Sequence, residues 1–338
     1  VKSRDGNVLF LSDGETVGHR PPPGHPDTLE RVEAVTRGAA QVAGVHHGAT
    51  RRATVEEIAL VHTSEYISAV RELSASGGGW LDEDTFASEG TYDAATGAVG
   101  SGLVAIERLK ADPEFCAAFV ATRPPGHHAS ENTGAGFCVF NNIAIAAAHL
   151  TREGSKVAIL DWDAHHGNGT QEIFWSDERV LYVSIHQEAA YPGTGYPHER
   201  GPHPSNLTTV NLPLPQGTTG EHYLCLFDSV IEPIVRRFEP DWILVSCGFD
   251  GHVDDPVSEL ALESHDFGLF ARRALSWAPY PGRTVFFLEG GYDLEALQAS
   301  TAAVLTSATN HTAPESEPSS GGPGAGRVQE LLRFWTSR

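Results

Sequence analysis

Four places in the chain put histidine, carboxylate, glycine or tyrosine side chains directly behind a short apolar run. Phe115–Ala121 leads into Arg123-Pro124-Pro125-Gly126-His127-His128, and Lys156–Leu160 leads into Asp161, Asp163, His165, His166 and Asn168. Trp242–Cys247 leads into Gly248, Asp250 and His252, and Thr284–Leu288 into Glu289, Gly290, Gly291 and Tyr292. Runs of this length, rich in Val, Ile and Phe, read as strands buried on both faces. In an open parallel sheet the carboxyl ends of such strands converge on one crevice, where ligands bind. One histidine behind one strand would carry no message; four such deposits describe a site.

Asp163 and His165 are two apart on extended backbone and so point the same way. With a carboxylate from another strand end they make a three-ligand metal site with an open position, and Asp250 is the natural third ligand. An ordinary hydrogen-bonded Asp–His pair is the alternative. Gly167 and Gly169 argue for a ligand, because glycines beside such a pair permit close backbone approach. No set of four thiolates is present, which disfavours a structural zinc. His127 and His128 sit on a turn made rigid by the Pro pair and Gly126. Imidazole has the pKa range needed for a base beside a metal-activated water, although a lone histidine is more often a satisfied structural residue. Tyr292, after two glycines, can swing over the site and donate to an oxyanion; a core tyrosine is the plainer alternative. A phosphate loop, an HExxH helix and a GxSxG elbow are all absent from the sequence. The run Gly77–Gly79 reads as a loop.

Something must hold these residues in place. Val180–Ile185 completes the set of predicted strands, and helices are predicted over Thr91–Leu109, Asn142–Thr151, Gly220–Phe238, Ser264–Trp277 and Leu294–Ser307. This alternation implies an α/β fold with a mostly parallel sheet flanked by helices and a site at the carboxyl ends of its strands. Asp27 followed by Glu30 resembles a capping box opening a helix through Thr36. Residues 312–327, dense in Pro, Gly and Ser, read as a linker or loop after a single domain over 1–311. Val328, Leu331, Leu332 and Trp335 then fall on one face of a helix over 328–338. That face is expected to dock on its own domain, with self-association as a homo-oligomer the alternative.

The 338 residues are 40% hydrophobic and 20% charged, a globular balance. Lys+Arg 23 against Asp+Glu 44 gives a net charge of −21, which opposes nonspecific nucleic-acid binding and favours cationic ligands or serves solubility alone. No apolar run approaches the ~18 residues that span a bilayer, and nothing reads as a signal peptide. No membrane partner and a cytoplasmic location are therefore expected. Cys116, Cys138, Cys225 and Cys247 form no CxxC pair and are expected to be buried free thiols.

Read together, RPPGHHA, GFCVFNN, DWDAHHGNG, VSIHQ, YPGTGY, SCGFDGH and LEGGYDL, in this order, resemble the zinc-dependent histone deacetylase superfamily. HHGNG and LEGGYDL look like its class II branch and bacterial relatives, the acetylpolyamine amidohydrolases included. The resemblance implies one catalytic Zn2+ per chain on Asp163, His165 and Asp250. It implies that His128 is the base and that His127 is its tandem partner, paired to Asp161. Tyr292 would be the donor to the substrate carbonyl, behind Gly290 and Gly291. Gly136, Phe137 and Tyr191 match tunnel-wall positions, Tyr191 facing Phe137 across the tunnel. Asp84 falls at the rim position that binds the substrate backbone, and Val257 at the tunnel mouth. Main-chain oxygens of Asp161, Asp163 and His165 with the Ser184 hydroxyl match a structural K+ site. A second such site would involve Phe174, Asp177 and Val180.

The implied reaction is hydrolysis of an acetamide, on acetyl-lysine in peptides or proteins or on an acetylated small amine, releasing acetate. Two positions depart from the pattern. Asn168 stands where class I relatives carry the Asp paired with the second histidine, so His128 should be less easily protonated. Ala135 replaces an apolar Met before the tunnel Gly-Phe, in a chain with no Met at all. Two rivals remain: a dinuclear manganese hydrolase of arginase type, which would need carboxylates where Gly167 and His252 stand, and a non-catalytic acetyl-amine binding protein.

Overall fold

The computed structural model describes residues 6–202, 207–310 and 321–336. Its strands, in chain order, are β1 (Asn7–Leu11), β2 (Val45–His47), β3 (Gly78–Trp80), β4 (Phe86–Ser88), β5 (Phe115–Val120), β6 (Val157–Asp161), β7 (Val180–Gln187), β8 (Thr209–Leu214), β9 (Trp242–Cys247) and β10 (Thr284–Leu288). The α-helices are α1 (Leu29–Ala39), α2 (Val55–Ile58), α3 (Ser64–Ala75), α4 (Thr91–Ala111), α5 (Asn142–Arg152), α6 (Asn168–Ile173), α7 (Gly220–Leu226), α8 (Glu232–Phe238), α9 (Ser264–Trp277), α10 (Leu294–Asn310) and α11 (Ala325–Thr336).

Among the described residues, eight strands form one sheet in the order β2-β1-β5-β10-β9-β6-β7-β8, every neighbouring pair parallel. Alternate strand residues enter two cores. Ala117, Phe119 and Phe286 pack beneath α1 and α7–α11, while Ala118, Val120 and Val285 pack beneath α4 and α5. Each fully buried Phe contributes roughly 1.5–3 kcal/mol, which is why runs apolar on both faces fold as central strands. The single α/β domain with a parallel sheet is the expected one.

Several local expectations are corrected. Asp27 does not cap a helix: Thr28 occupies the N-cap position of α1, without a side-chain cap bond, because the Asp27 carboxylate is taken by Arg31 and Arg123. The helix expected over Gly220–Phe238 is divided by a π-turn at Phe227–Ile231 just before Pro233, whose missing N–H and ring force the preceding turn wide. Gly78 and Gly79 are not loop: they open β3, which pairs antiparallel with β4. β8 went unpredicted because Pro213 interrupts its pattern, and the proline is tolerated because β8 is an edge strand. Three cysteines are buried and free as expected, but Cys225 on α7 is partly exposed. α11 begins at Ala325 rather than Val328, its first turn closed by Val328 N–H donating to Gly324 O. Of the 312–327 segment, residues 312–320 lie outside the described residues, and 321–327 lead into and begin α11. Val328, Leu331 and Trp335 join the main core, so the helix docks on its own domain. Among the described residues no helix is long and apolar enough to cross a membrane.

Candidate active site

The four strands that deliver polar residues are the four adjacent central ones, β5-β10-β9-β6. In register, Leu288 stands beside Cys247 and Asp161 beside Ser246, so the segments that follow leave the sheet side by side. Asp163, His165 and Asp250 meet there, with one ligand atom from each within 4.8 Å of the others. His165 Nδ1 lies 2.7 Å from Asp250 Oδ2 and 3.3 Å from Asp163 Oδ1. The carboxylates are sealed, at 1% and 0% exposure, while His165 reaches the surface at 17%, so the cluster opens on its histidine side. Burial and the neighbouring Asp163 push Asp250 up to about 7. Two buried carboxylates held this close, with an imidazole between them, suit a divalent cation. Gly290 makes the approach feasible: a Cβ there would come within 2.7 Å of carboxylate oxygens of both aspartates.

The tandem histidines separate into two environments. His127 Nδ1 is 3.0 Å from Asp161 Oδ2; burial disfavours its cation, but Asp161, Asp163 and Glu289 outweigh burial and raise it to about 10. His128 Nδ1 is 2.8 Å from Asn168 Oδ1, which accepts its proton and leaves Nε2 as the basic atom. Burial, then the positive His127 and His165, hold His128 well below the ordinary histidine range. One imidazole carries charge and its neighbour stays neutral. Asn168 opens α6, a short helix not expected from the sequence.

Tyr292 is held from three sides. Its N–H donates to Asp255 Oδ2 at 2.6 Å, its ring meets Phe137 edge-on at 5.9 Å, and the Arg31 guanidinium lies 4.8 Å from its centroid. Burial keeps the phenol protonated, well above the ordinary tyrosine value. Arg31, Asp27, Arg123 and Asp255 were not anticipated as site residues. Arg31 donates through Nε to Gly291 O at 2.6 Å and through Nη2 to Glu289 O, gripping the main chain on both sides of Gly290. Asp27 binds Arg31 at 2.5 Å and Arg123 at 2.7 Å, all three at 1% exposure or less. A buried ion network of this kind is costly unless hydrogen-bonded, and removing one partner would leave an uncompensated buried charge. Glu289 Oε2 accepts from the Gly126 and His127 amides, and Oε1 from Ser246 Oγ, bracing the turn that carries the histidines. Glu289, His127 and Cys138 also cluster closely enough to hold an ion, but these bonds already occupy the carboxylate. The sequence signals for Glu289 were its place directly behind the predicted strand Thr284–Leu288 and within LEGGYDL.

The residues matched to a tunnel sit against the histidine and the tyrosine. Gly136 (φ +55°) lies against His128 and Tyr191, and a side chain there would strike the imidazole. Tyr191, 43% exposed, stands edge-on to His128 at 5.0 Å, and Phe137 packs on His25 and Tyr292. Each aromatic wall thus contacts a different candidate catalytic side chain. Asp84, between β3 and β4, accepts from Gly136 N at 3.1 Å and from Thr85 Oγ1 at 3.0 Å, so one carboxylate oxygen braces the wall. Val257 is partly exposed, and its N–H donates to Asp255 Oδ1, the carboxylate whose other oxygen holds Tyr292. Ser184 pairs in register with Asp161 and bonds His186 Nδ1 at 2.8 Å. Phe174, Asp177 and Val180 are linked by successive turn bonds after α6, with the Asp177 carboxylate taken by Arg179. His252, where a dinuclear site would need a carboxylate, is bound to Ser264 Oγ and the Asp254 amide.

Comparison with known families matches residues 25–308 to the histone deacetylase domain. The chain belongs to this family. It is 42% identical over 290 residues to a probable deacetylase of Archaeoglobus fulgidus, covering 83% of this chain and 80% of the relative. It is 37% identical over 322 residues to histone deacetylase 10, chloroplastic, of Oryza sativa subsp. japonica, covering 88% and 72%. The crystal structure of the HDA15 HD domain superposes with a TM-score of 0.87 at 30% identity, covering 98% of this chain and 96% of that one. This histone deacetylase family member is accordingly a hydrolase of the deacetylase type.

Proposed function

We propose that the chain is a zinc-dependent deacetylase that hydrolyses the acetamide of acetyl-lysine or a related acylated amine and releases acetate. The observation that carries this reading is the Asp163–His165–Asp250 cluster facing a neutral His128, a charged His127 and the Tyr292 phenol. Zinc bound there supplies a Lewis acid that polarises the acetyl carbonyl and acidifies water. His128 Nε2 takes the proton from the attacking water, with Asn168 holding the tautomer. His127, ion-paired to Asp161, keeps positive charge beside the developing oxyanion. Tyr292 donates to that oxyanion, and the histidine pair returns a proton to the leaving amine. Main-chain oxygens of Asp161, Asp163 and His165 with Ser184, and the Phe174–Asp177–Val180 turn, are the places assigned to structural K+. The free thiols fit a reducing, cytoplasmic setting.

Protonation of His128 should set the acidic limb of kcat/KM. Burial and the positive His127 beside it depress its pKa, so activity should be lost only as pH falls below the ordinary histidine value. Asn168→Asp places an anion on Nδ1, favours imidazolium, and should move that limb up by about one to two pH units. A pH profile whose limb stays in place would remove His128 as the group that must be neutral.

Val257 bears on substrate class. An apolar side chain at the mouth suits the aliphatic stem of acetyl-lysine, whereas a carboxylate there would attract a second amine. Acetyl-lysine in peptides or proteins is therefore favoured over acetylpolyamines. Val257→Glu should raise kcat/KM for acetylspermidine relative to an acetyl-lysine peptide by about two- to fivefold, the scale of one partly exposed charge contact. A parent enzyme already preferring the polyamine by tenfold or more would replace this reading with that of an acetylpolyamine amidohydrolase.

A further inference from the structure

The helix α11 lies outside the residues matched to the family domain, yet it touches both ends of the segment that carries Tyr191. At the start, Arg327 Nε lies 3.4 Å from Glu188 Oε2 and donates to Pro213 O at 3.1 Å, on the edge strand β8. At the far end, the Arg200 guanidinium lies 4.6 Å from the Phe334 ring and 5.7 Å from that of Trp335. Between these points the segment is tied inward. Glu199 accepts from the Gly195 and Tyr196 amides and from Gln171 Nε2. Thr194 Oγ1 lies 2.8 Å from Nδ1 of His166, the residue after the ligand His165, and Gly195 O lies 3.1 Å from His186 Nε2. The Tyr191 ring then stands against His128.

We propose that α11 is a positioning element for the active site: by holding Glu188 and Arg200 it fixes the 188–201 segment and so sets the Tyr191 wall against His128. This rests on the deacetylase reading for its kinetic consequence, but the brace itself does not. A cation–π contact that is partly shielded from water holds its partners far better than an exposed ion pair does. Arg200 on Phe334 and Trp335 is therefore the stronger anchor and Arg327–Glu188 the weaker. Past Glu188, whose N–H donates to Leu214 O on β8, the segment leaves the sheet, so its course toward Arg200 depends on the inward ties and on α11.

The test compares the full chain with Phe334→Leu/Trp335→Leu, which keeps apolar bulk in the core, and with Arg327→Glu, Glu188→Arg and their combination. Hydrogen exchange over 188–199 should speed up about 3- to 30-fold in the leucine double variant, the opening expected from losing a cation–π anchor. It should speed up by a smaller factor in Arg327→Glu, and the charge-swapped pair should recover most of that. KM for an acetyl-lysine peptide should rise in step with exchange, while bound metal and kcat stay within about twofold, since the ligands and Tyr292 are untouched. Unchanged exchange in folded variants overturns the brace. Faster exchange with an unmoved KM overturns its role in the site. If the leucine variant does not fold, the charge pair, on partly exposed side chains, decides the matter. A parent chain inactive on every acetylated amine would fail the deacetylase reading, and exchange alone would still decide whether α11 orders the segment.

Discussion

Asp250→Asn is expected to lose bound metal and activity together while leaving a well-folded protein. Asp250 Oδ2 faces His165 Nδ1 at 2.7 Å, and Oδ1 accepts from the Ala164 amide at 2.8 Å. Asparagine keeps an acceptor for that amide and the same shape, so the ligand loop stays in place. What it removes is the charge. The Asp250 carboxyl is pushed up to about 7 by burial and by Asp163. A carboxyl raised in the folded state contributes stability below its unfolded pKa and loses it as pH rises through the folded value. In the metal-stripped fold the ionised Asp250 repels Asp163 but pairs with the positive His165, and the neutral amide removes both interactions. Stripped Asp250→Asn should stay folded and melt near the stripped parent, while its metal affinity falls by at least about 100-fold, beyond the loss typical of outer partners. Metal content, turnover and thermal melting of stripped samples check all three. A variant that retains metal and turnover removes Asp250 from the ligand set.

Tyr292→Phe is expected to cut kcat by about 10²–10³, the loss typical of one oxyanion donor. The ring is what packs against Phe137 and Arg31, and the backbone is what Asp255 holds, so phenylalanine preserves both contacts. Only the hydroxyl goes. Burial keeps it protonated across the physiological range, so it is available as a donor at every pH where His128 is neutral. An interaction made only as the oxyanion develops lowers kcat and kcat/KM alike, leaving KM and metal content near the parent values. Near-normal turnover would assign the oxyanion to other groups. A raised KM with kcat intact would make Tyr292 a wall residue instead.

The chemistry of the site was legible because it is local. Asp163 and His165 share a strand exit, His127 and His128 share a turn, and Gly290 and Gly291 precede Tyr292, so spacing alone shows each pair. The central strands were legible for a similar reason, since burial on both faces leaves unbroken apolar runs such as Trp242–Cys247. The edges were not. β8 carries Asn211 and Pro213 within six residues, and β2 is three residues long with two exposed histidines. Edge strands have fewer neighbours to satisfy, so their composition is loose and their signal weak.

Asp27 shows the opposite failure. Its spacing to Glu30 fits a cap, and nothing nearby in sequence reveals that Arg123, 96 positions away, claims its carboxylate. Arg31 reaches Gly291 across 260 positions and Glu289 across 258. Nothing in the linear chain marks these arginines as partners of one buried carboxylate. Only the fold shows that both are sealed from water, Arg31 against the Tyr292 ring.

Residue types and short-range spacing were enough to nominate candidate metal ligands and a candidate base, because paired side chains at one strand exit and burial on both faces of a strand leave a local signature. Neighbour relations were not, because strand order comes from hydrogen bonding and packing between segments far apart in the chain. Putting β10 between β5 and β9, and β9 beside β6, is a tertiary fact, and the second pairing brings Asp163 to Asp250. The opposite charge states of the two histidines follow from the same convergence. Burial and the field of Asp161, Asp163, Glu289 and Asn168 act through space, and no spacing along the chain encodes distance through a folded core.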